Sequence, residues 1–383
     1  MRQANYTKRG FTLVELMVSM SVGLLLLGSA LAMYRQAVNA TFLTSQRSEM
    51  QQDFRAASNL LQRDISLAGA GGLGLIGLAK GSVGLPTGSG VTAPVYPCST
   101  TTCNYVNGAP VAYPTVSGAP YLYSIIPGYN LGIVVPEGPT DILTVAYADG
   151  TLALNCYSVN IQSATQVLFQ LPTNPAATCV LPTGTTTVPL LNAAGIGLQP
   201  GDYILFGQSA AAVVTNVTAT APASGYSSAF TVTFNAGAGD PGHINQPGAT
   251  GGSMKQLPTG PSTSLSAVRM MLITYYLDIS PVDGVTPRLM RVQSGRTPVP
   301  VAENVTYMKF SYDVDNNGAI LSNQTSLPTG ITPNMITKVN VVHMCIRSQV
   351  SGTSGYQGLD LQTSISARNL TMGQEYPISG SAY

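Results

Sequence analysis

The feature that most constrains this chain is an apolar stretch close to its N-terminus. Residues 11–34 read FTLVELMVSMSVGLLLLGSALAMY, 24 positions with a single ionisable group, Glu15. About 20 such residues are enough to cross a bilayer as a helix. Residues 1–10 carry Arg2, Lys8 and Arg9 and no acid, so this basic leader is expected to stay cytoplasmic while everything after the apolar run is exported. An ordinary secretory signal is cut after its apolar run, but the sharp junction here, between Gly10 and Phe11, precedes it. Cutting at that point removes the leader and keeps the membrane helix.

Beyond Tyr34 the apolar positions Val38, Phe42, Met50, Phe54, Ala57, Leu61, Ile65 and Ala68 follow a three-to-four spacing, with Gln46 as a polar interruption. Arg35, Arg47, Glu49, Asp53, Arg55 and Arg63 lie between them. The pattern predicts an amphipathic helix continuous with the membrane span. No proline occurs before Pro86 and a glycine run opens at Gly69, so one helix is expected over residues 11–68, about 87 Å long at 1.5 Å per residue. That is far too long for a single globular helix. The half at 11–34 needs lipid or similar helices around it, and the half at 35–68 needs the exported domain.

The rest of the chain reads as a β-rich body. Only 33 of 383 residues are charged, 9% against a usual value of about 25%, while 44% are hydrophobic, which is ample for a packed core. A net charge of +1 with no basic run disfavours nucleic acid as a partner, because phosphate binding depends on clustered Lys and Arg. Short β-type runs between turn residues at 142–146, 152–161, 166–171, 203–206, 213–220, 230–234, 270–279, 305–312 and 338–346 predict antiparallel strands. Residues 69–139 are expected to be a Gly/Pro-rich loop region and 140–383 the exported β-rich domain. Long loop-rich stretches are expected at 81–138 and 237–266. Gly72, Gly74 and Gly77 formally spell G-x-G-x-x-G, but the motif follows a helix and opens none, so a hinge fits better than a phosphate loop.

Residues Lys8 to Met17, KRGFTLVELM, resemble the class III signal of type IV pilins and type II secretion pseudopilins. The resemblance implies that a prepilin peptidase cleaves between Gly10 and Phe11 and methylates the new amino group of Phe11. It also implies that Glu15 neutralises the N-terminal amine of a neighbouring subunit. The residues agree: a lone carboxylate in a membrane span is costly and needs a partner. Further along, Leu60-Leu61-Gln62-Arg63-Asp64-Ile65-Ser66-Leu67-Ala68-Gly69 is similar to a helix end found in PilW-type minor pilins, with Ser66 where that family often has Arg. Gly201-Asp202-Tyr203, Tyr275-Tyr276, Arg288-Leu289-Met290-Arg291, Val301 to Val305, Phe310 to Asp315 and Ser366-Ala367-Arg368-Asn369 follow in that family's order. The fold this implies is α+β and type IV pilin-like, a long N-terminal α-helix packed on an antiparallel β-sheet-rich C-terminal domain. The implied function is that of a non-catalytic minor pilin that primes a type IV pilus and sits at its tip. Implied partners are other minor pilins, the major pilin, the inner-membrane assembly platform, prepilin peptidase and a large tip adhesin. The implied location is the inner membrane, with a single pass, before assembly, and the pilus or cell surface afterwards. A J-type pseudopilin of a type II secretion system and a tip adhesin or uptake subunit are the alternatives.

Five cysteines, Cys98, Cys103, Cys156, Cys179 and Cys345, lie in the exported part, where disulfides form. Cys98 with Cys103 would close a small loop and Cys156 with Cys179 a longer one, with other pairings open. A zinc site is the alternative, but there is no C-x-x-C and the histidines are only His243 and His343. His343 and Cys345 are two apart in an expected strand and share a face with Val341 and Arg347. With no orienting carboxylate or glycine-rich oxyanion loop beside them, a satisfied interior or interface pair is expected rather than a nucleophile. The best ligand constellation is Asp313, Asp315, Asn317 and Gly318, D-V-D-N-N-G, which resembles the first half of a calcium loop. Gln324 stands where such a loop has its bidentate Glu. The alternative is a turn between two strands.

Overall fold

The computed structural model describes residues 10–70, 82–84, 113, 115–116, 119–171, 188, 190–208, 211–223, 229–236, 240, 242–245, 253–257, 259–262, 265–279, 286–349 and 356–370. The chain divides into two compact units, Met1–Gln52 with Ser348–Gln357, and Asp53–Arg347 with Gly358–Tyr383. A single helix, α1 (Leu13–Ser66), begins in the first and ends in the second. It is long and apolar enough at its start to cross a membrane.

In the first unit the side chains of the apolar stretch are bare. Phe11, Leu13, Leu25 and Met33 are all more than two-thirds exposed, so their stable surroundings are lipid or other helices. The polar side chains in this stretch satisfy themselves: the hydroxyls of Ser19, Ser21 and Ser29 donate to the carbonyls of Leu16, Val18 and Leu26 at 2.8–2.9 Å. Such back-bonding lets serine enter an apolar medium without an unpaired group.

In the second unit the last turns of α1 bury Ala57, Leu61 and Ile65 completely, and Ala68 just beyond the helix is buried too, the stripe that the three-to-four spacing predicts; Asp64 is buried beside it. The main sheet has eleven described strands, all paired antiparallel. In chain order they are β1 (Ile125–Gly128), β2 (Ile142–Asp149), β3 (Ser158–Ser163), β4 (Gln166–Gln170), β5 (Tyr203–Gln208), β6 (Ala211–Pro222), β7 (Ala229–Asn235), β8 (Gly260–Ser262), β9 (Ser266–Ile279), β10 (Pro287–Gln293) and β11 (Val299–Glu303). Their spatial order is β8-β3-β4-β7-β6-β5-β9-β10-β11, with β2 pairing β9 and β1 pairing β2. The long strand β9 is the hub, because it pairs β5, β10 and β2. The sheet is buried on both faces. Tyr203 and Leu205 enter one core cluster while Ile204 and Phe206, alternating with them, enter another. This explains why these strands read as unbroken apolar runs.

A second, five-stranded sheet comprises β12 (Val305–Asn316), β13 (Ala319–Gln324), β14 (Ile336–Gln349), β15 (Tyr356–Asp360) and β16 (Thr363–Ser366) in the order β13-β12-β14-β15, with β16 also on β14. Asn304, in the left-handed conformation at φ 57°, is the single residue between β11 and β12 and turns the chain from one sheet into the other. Buried Asp141 ties the sheets together, accepting from Phe310 N and Lys309 Nζ at 2.9 Å each and from Asn130 N at 2.8 Å.

Two sequence expectations meet a different outcome. The strand expected from residue 152 begins at Ser158, because Ala153 takes a left-handed conformation (φ 49°) and residues 150–156 form two short 3-10 turns, the first capped by Asp149. Within the span expected as loop, residues 119–123 are a strand and β1 pairs β2 from Ile125↔Val145 to Gly128↔Ile142. Pro127 in that run disguised the strand; among the described residues β1 is the last strand beyond β2, a position where proline is tolerated.

Candidate functional site

The N-terminal junction lies just ahead of α1. Gly10 and Phe11 are exposed and precede the first helical residue, so the bond between them is presented in non-helical backbone. Thr12 and Glu15 form a capping box: Thr12 N donates to Glu15 Oε2 at 3.0 Å, and Glu15 N donates to Thr12 Oγ1 at 3.3 Å. Thr12 is therefore the N-terminal cap and Glu15 the residue that reaches back to it, with its carboxylate within one turn of the junction.

At the other end of α1 the chain builds a polar socket. Asp64 is fully buried, and its Oδ2 accepts from the Tyr275 hydroxyl at 2.6 Å and from Arg291 Nε at 2.8 Å. Tyr275 on β9 and Arg291 on β10 are direct cross-strand partners, so the register of that pair aims both donors at one oxygen. Asp64 Oδ1 is buried with no hydrogen-bond partner among the described residues. Burial first, and then the charge of Asp64, push the Tyr275 phenol up; the same two causes push up the Tyr147 phenol. Asn369 Nδ2 donates to the carbonyls of Ser66 and Ala68 at 3.1 and 3.2 Å, satisfying the helix end. Gly69 follows at φ 74°, with its N–H on the Ala146 carbonyl at 3.0 Å. A Cβ there would stand 3.1 Å from Leu370 and 3.3 Å from the Ser124 hydroxyl. Asp64, Tyr275, Arg291 and Asn369, from four of the segments that carry the resemblance, thus close around one helix terminus. Asp202 of the Gly201-Asp202-Tyr203 segment is likewise buried, and holds Arg296 through Nε at 2.9 Å.

The calcium candidates occupy a hairpin. Asn316 pairs Ala319, leaving Asn317 (φ 55°) and Gly318 (φ 93°) as a two-residue turn with both central residues at positive φ. Asp315 Oδ1 accepts from Gly318 N at 2.6 Å, and Asp313 Oδ1 accepts from Asn323 N and Asn340 Nδ2 at 2.9 and 3.0 Å. The turn alternative weighed above is what the backbone adopts, and each carboxylate already serves the hairpin. Of the cysteines, Cys156 is disulfide-bonded, whereas Cys98, Cys103 and Cys179 lie outside the described residues. The Gly72 to Gly77 motif lies outside them as well.

His343 and Cys345 share a face, but two parts of the expectation change. The register shifts between Lys309↔His343 and Phe310↔Val341, so Val342 is a bulge residue. Val341 is consequently buried in the core, away from the half-exposed His343. The pair does have a carboxylate beside it: Asp360 Oδ2 is 3.0 Å from His343 Nδ1, and Asp360 Oδ1 is 3.6 Å from Cys345 Sγ. A slight burial penalty on Asp360 is outweighed by His343 and Gln362, which hold its carboxyl below the usual range. Asp360 was legible only as the polar position between Leu359 and Leu361.

Residues 6–31 match the family described as the prokaryotic N-terminal methylation motif. The match supports a type IV pilin-like prepilin. No curated protein and no solved structure matches the chain. The prepilin motif covers the exposed Gly10–Phe11 junction, the capping box and the first turns of the apolar helix. An apolar helix at the start of a prepilin fits membrane anchoring before assembly with other pilins. Pilin-type chains are structural subunits and not usually enzymes.

Proposed function

We propose that this chain is a PilW-type minor pilin, which primes assembly of a type IV pilus and sits at its tip. The observation that carries the reading is the N-terminal arrangement: a methylation motif at residues 6–31, an exposed junction after Gly10 and one carboxylate, Glu15, in the first turn of an uncovered apolar helix. Prepilin peptidase cleaves between Gly10 and Phe11 and methylates Phe11. Glu15 then pairs with the amine of a neighbouring subunit, exchanging its bonds to Thr12 for an ion pair in an apolar medium. Other minor pilins and the major pilin contribute the helices that cover the bare side chains from Phe11 to Tyr34. A body as large as residues 69–383 fits a tip, where no subunit stacks above it, better than a repeating shaft.

The deciding measurement is the intact mass and N-terminal sequence of the membrane-extracted protein from cells with active prepilin peptidase. A methylated Phe11 start supports the reading, and a retained Met1 or a cut after the apolar run overturns it. Deletion is expected to reduce surface pili at unchanged major pilin levels. Normal piliation with lost secretion would assign the chain to a type II secretion pseudopilus instead.

A further inference from the structure

The cluster on β14 and β15 contains three different metal-binding groups. Along β14, His343 and Cys345 alternate with Met344, which is fully buried, so both project from the outer face. Met344 and Leu361 exchange both backbone hydrogen bonds, at 3.3 and 3.1 Å. In an antiparallel pair this places the residue before Leu361 beside the residue after Met344. Asp360 therefore falls beside Cys345 on the outer face, with His343 diagonal to it. One imidazole nitrogen, one thiol and one carboxylate oxygen lie within 4.8 Å of one another.

The order of contacts separates two uses of this set. A nucleophilic relay needs imidazole in the middle, taking a proton from the thiol and oriented from behind by the carboxylate. Here the carboxylate is in the middle, with His343 on Oδ2 at 3.0 Å and Cys345 on Oδ1 at 3.6 Å. Both neighbours thus face one carboxylate, one on each oxygen, and all three groups border a common space. Tetrahedral zinc with bonds of about 2.0–2.3 Å separates its ligand atoms by about 3.3–3.7 Å; the contacts here are 3.0 and 3.6 Å and all three atoms lie within 4.8 Å, so side-chain rotation alone can reach that spacing. The surroundings also suit an ion. Gln362 Nε2 donates to Asp360 Oδ2 at 3.4 Å and steadies the carboxylate, and the Tyr307 ring flanks the imidazole with centroids 6.3 Å apart. The side chains of His343 and Asp360 are 44% and 38% exposed, which leaves an open path for an ion to enter.

We propose that His343, Cys345 and Asp360 form a binding site for one zinc-class divalent cation, with water in the fourth position. Binding releases the thiol proton of Cys345 to solvent and forms metal–sulfur, metal–nitrogen and metal–oxygen bonds; the His343–Asp360 hydrogen bond gives way to the shared ion. The site does not depend on the pilus reading, since it rests on the outer face of the C-terminal sheet.

The test is a cobalt(II) titration of the full chain in detergent under a non-chelating reductant, followed by competition with zinc. The expected result is a thiolate-to-cobalt charge-transfer band that saturates at one equivalent and is displaced by zinc. Cys345→Ser should abolish the band. His343→Gln and Asp360→Asn should each weaken zinc binding at least about tenfold, given that even supporting residues cost that much. Without metal the variants should melt with the parent, and zinc should raise the melting temperature of the parent more than that of any variant. A band that is absent from the parent, survives Cys345→Ser or is indifferent to Asp360→Asn would overturn the proposal.

Discussion

Asp64 and Arg291 are 227 residues apart in sequence, yet Asp64 Oδ2 and Arg291 Nε are 2.8 Å apart in the second unit, with Asp64 fully buried. Tyr275 donates to the same oxygen. Breaking a buried ion pair by removing one member leaves an uncompensated charge and costs about 3–5 kcal/mol. Asp64→Ala is expected to lose that much in urea unfolding of the detergent-solubilised chain, and Tyr275→Phe about 1 kcal/mol. Asp64→Ala combined with Arg291→Met should lose clearly less than the sum of the two single changes. Strict additivity would mean that the two residues do not act together.

Acid sensitivity should trace in part to Asp149. Burial raises its carboxyl, but the Thr151 N–H and hydroxyl and then the Arg269 guanidinium, whose Nε is 2.9 Å away, outweigh burial and hold it below the usual value of 3.8. A depressed folded value means that the native state favours the ionised form. The contribution is present above the unfolded value and is lost as pH falls through the folded one. Asp149→Asn should flatten the stability profile below about pH 4; an unchanged slope there would show that other carboxylates carry the acid limb.

The hairpin at Asn317 and Gly318 offers a test of calcium. Gly318 at φ 93° is where a Cβ is strained, so Gly318→Ala is expected to cost about 1 kcal/mol or more. Millimolar calcium is expected to leave the melting temperature unchanged, because Asp313 and Asp315 are held by backbone and side-chain amides of the turn. A rise that Asp315→Ala abolishes would return these residues to a ligand role.

For the disulfide at Cys156, non-reducing peptide mapping is expected to recover it linked to Cys179. A loop of that size stabilises by about 3 kcal/mol, so Cys156→Ser should lower the unfolding midpoint noticeably. A crosslink from Cys156 to Cys98 or Cys103 would replace this pairing.

The helix was legible because its cause is local. An apolar run, an amphipathic stripe and a terminating glycine act over three or four residues, and α1 at Leu13–Ser66 follows them to within a turn. The hub strand was legible too, since residues 270–279 are β-type in every window. Strands β1, β8, β15 and β16 were not expected, and neither were β10, β11 and β13. β10 and β11 carry proline and half of β13 is polar, and each is held by partners across the sheet rather than by its own propensity.

By itself the sequence showed a prepilin-type motif at its start, an apolar helix long enough to cross a membrane and a β-rich body after it, because hydropathy and charge act on each segment independently of the rest. Tertiary structure alone decided which polar residues meet. The register of β9 against β10 aims Tyr275 and Arg291 at Asp64, and the pairing of Met344 with Leu361 brings Asp360 to His343 and Cys345. Register is a property of two strands together. No local pattern in either one contains it.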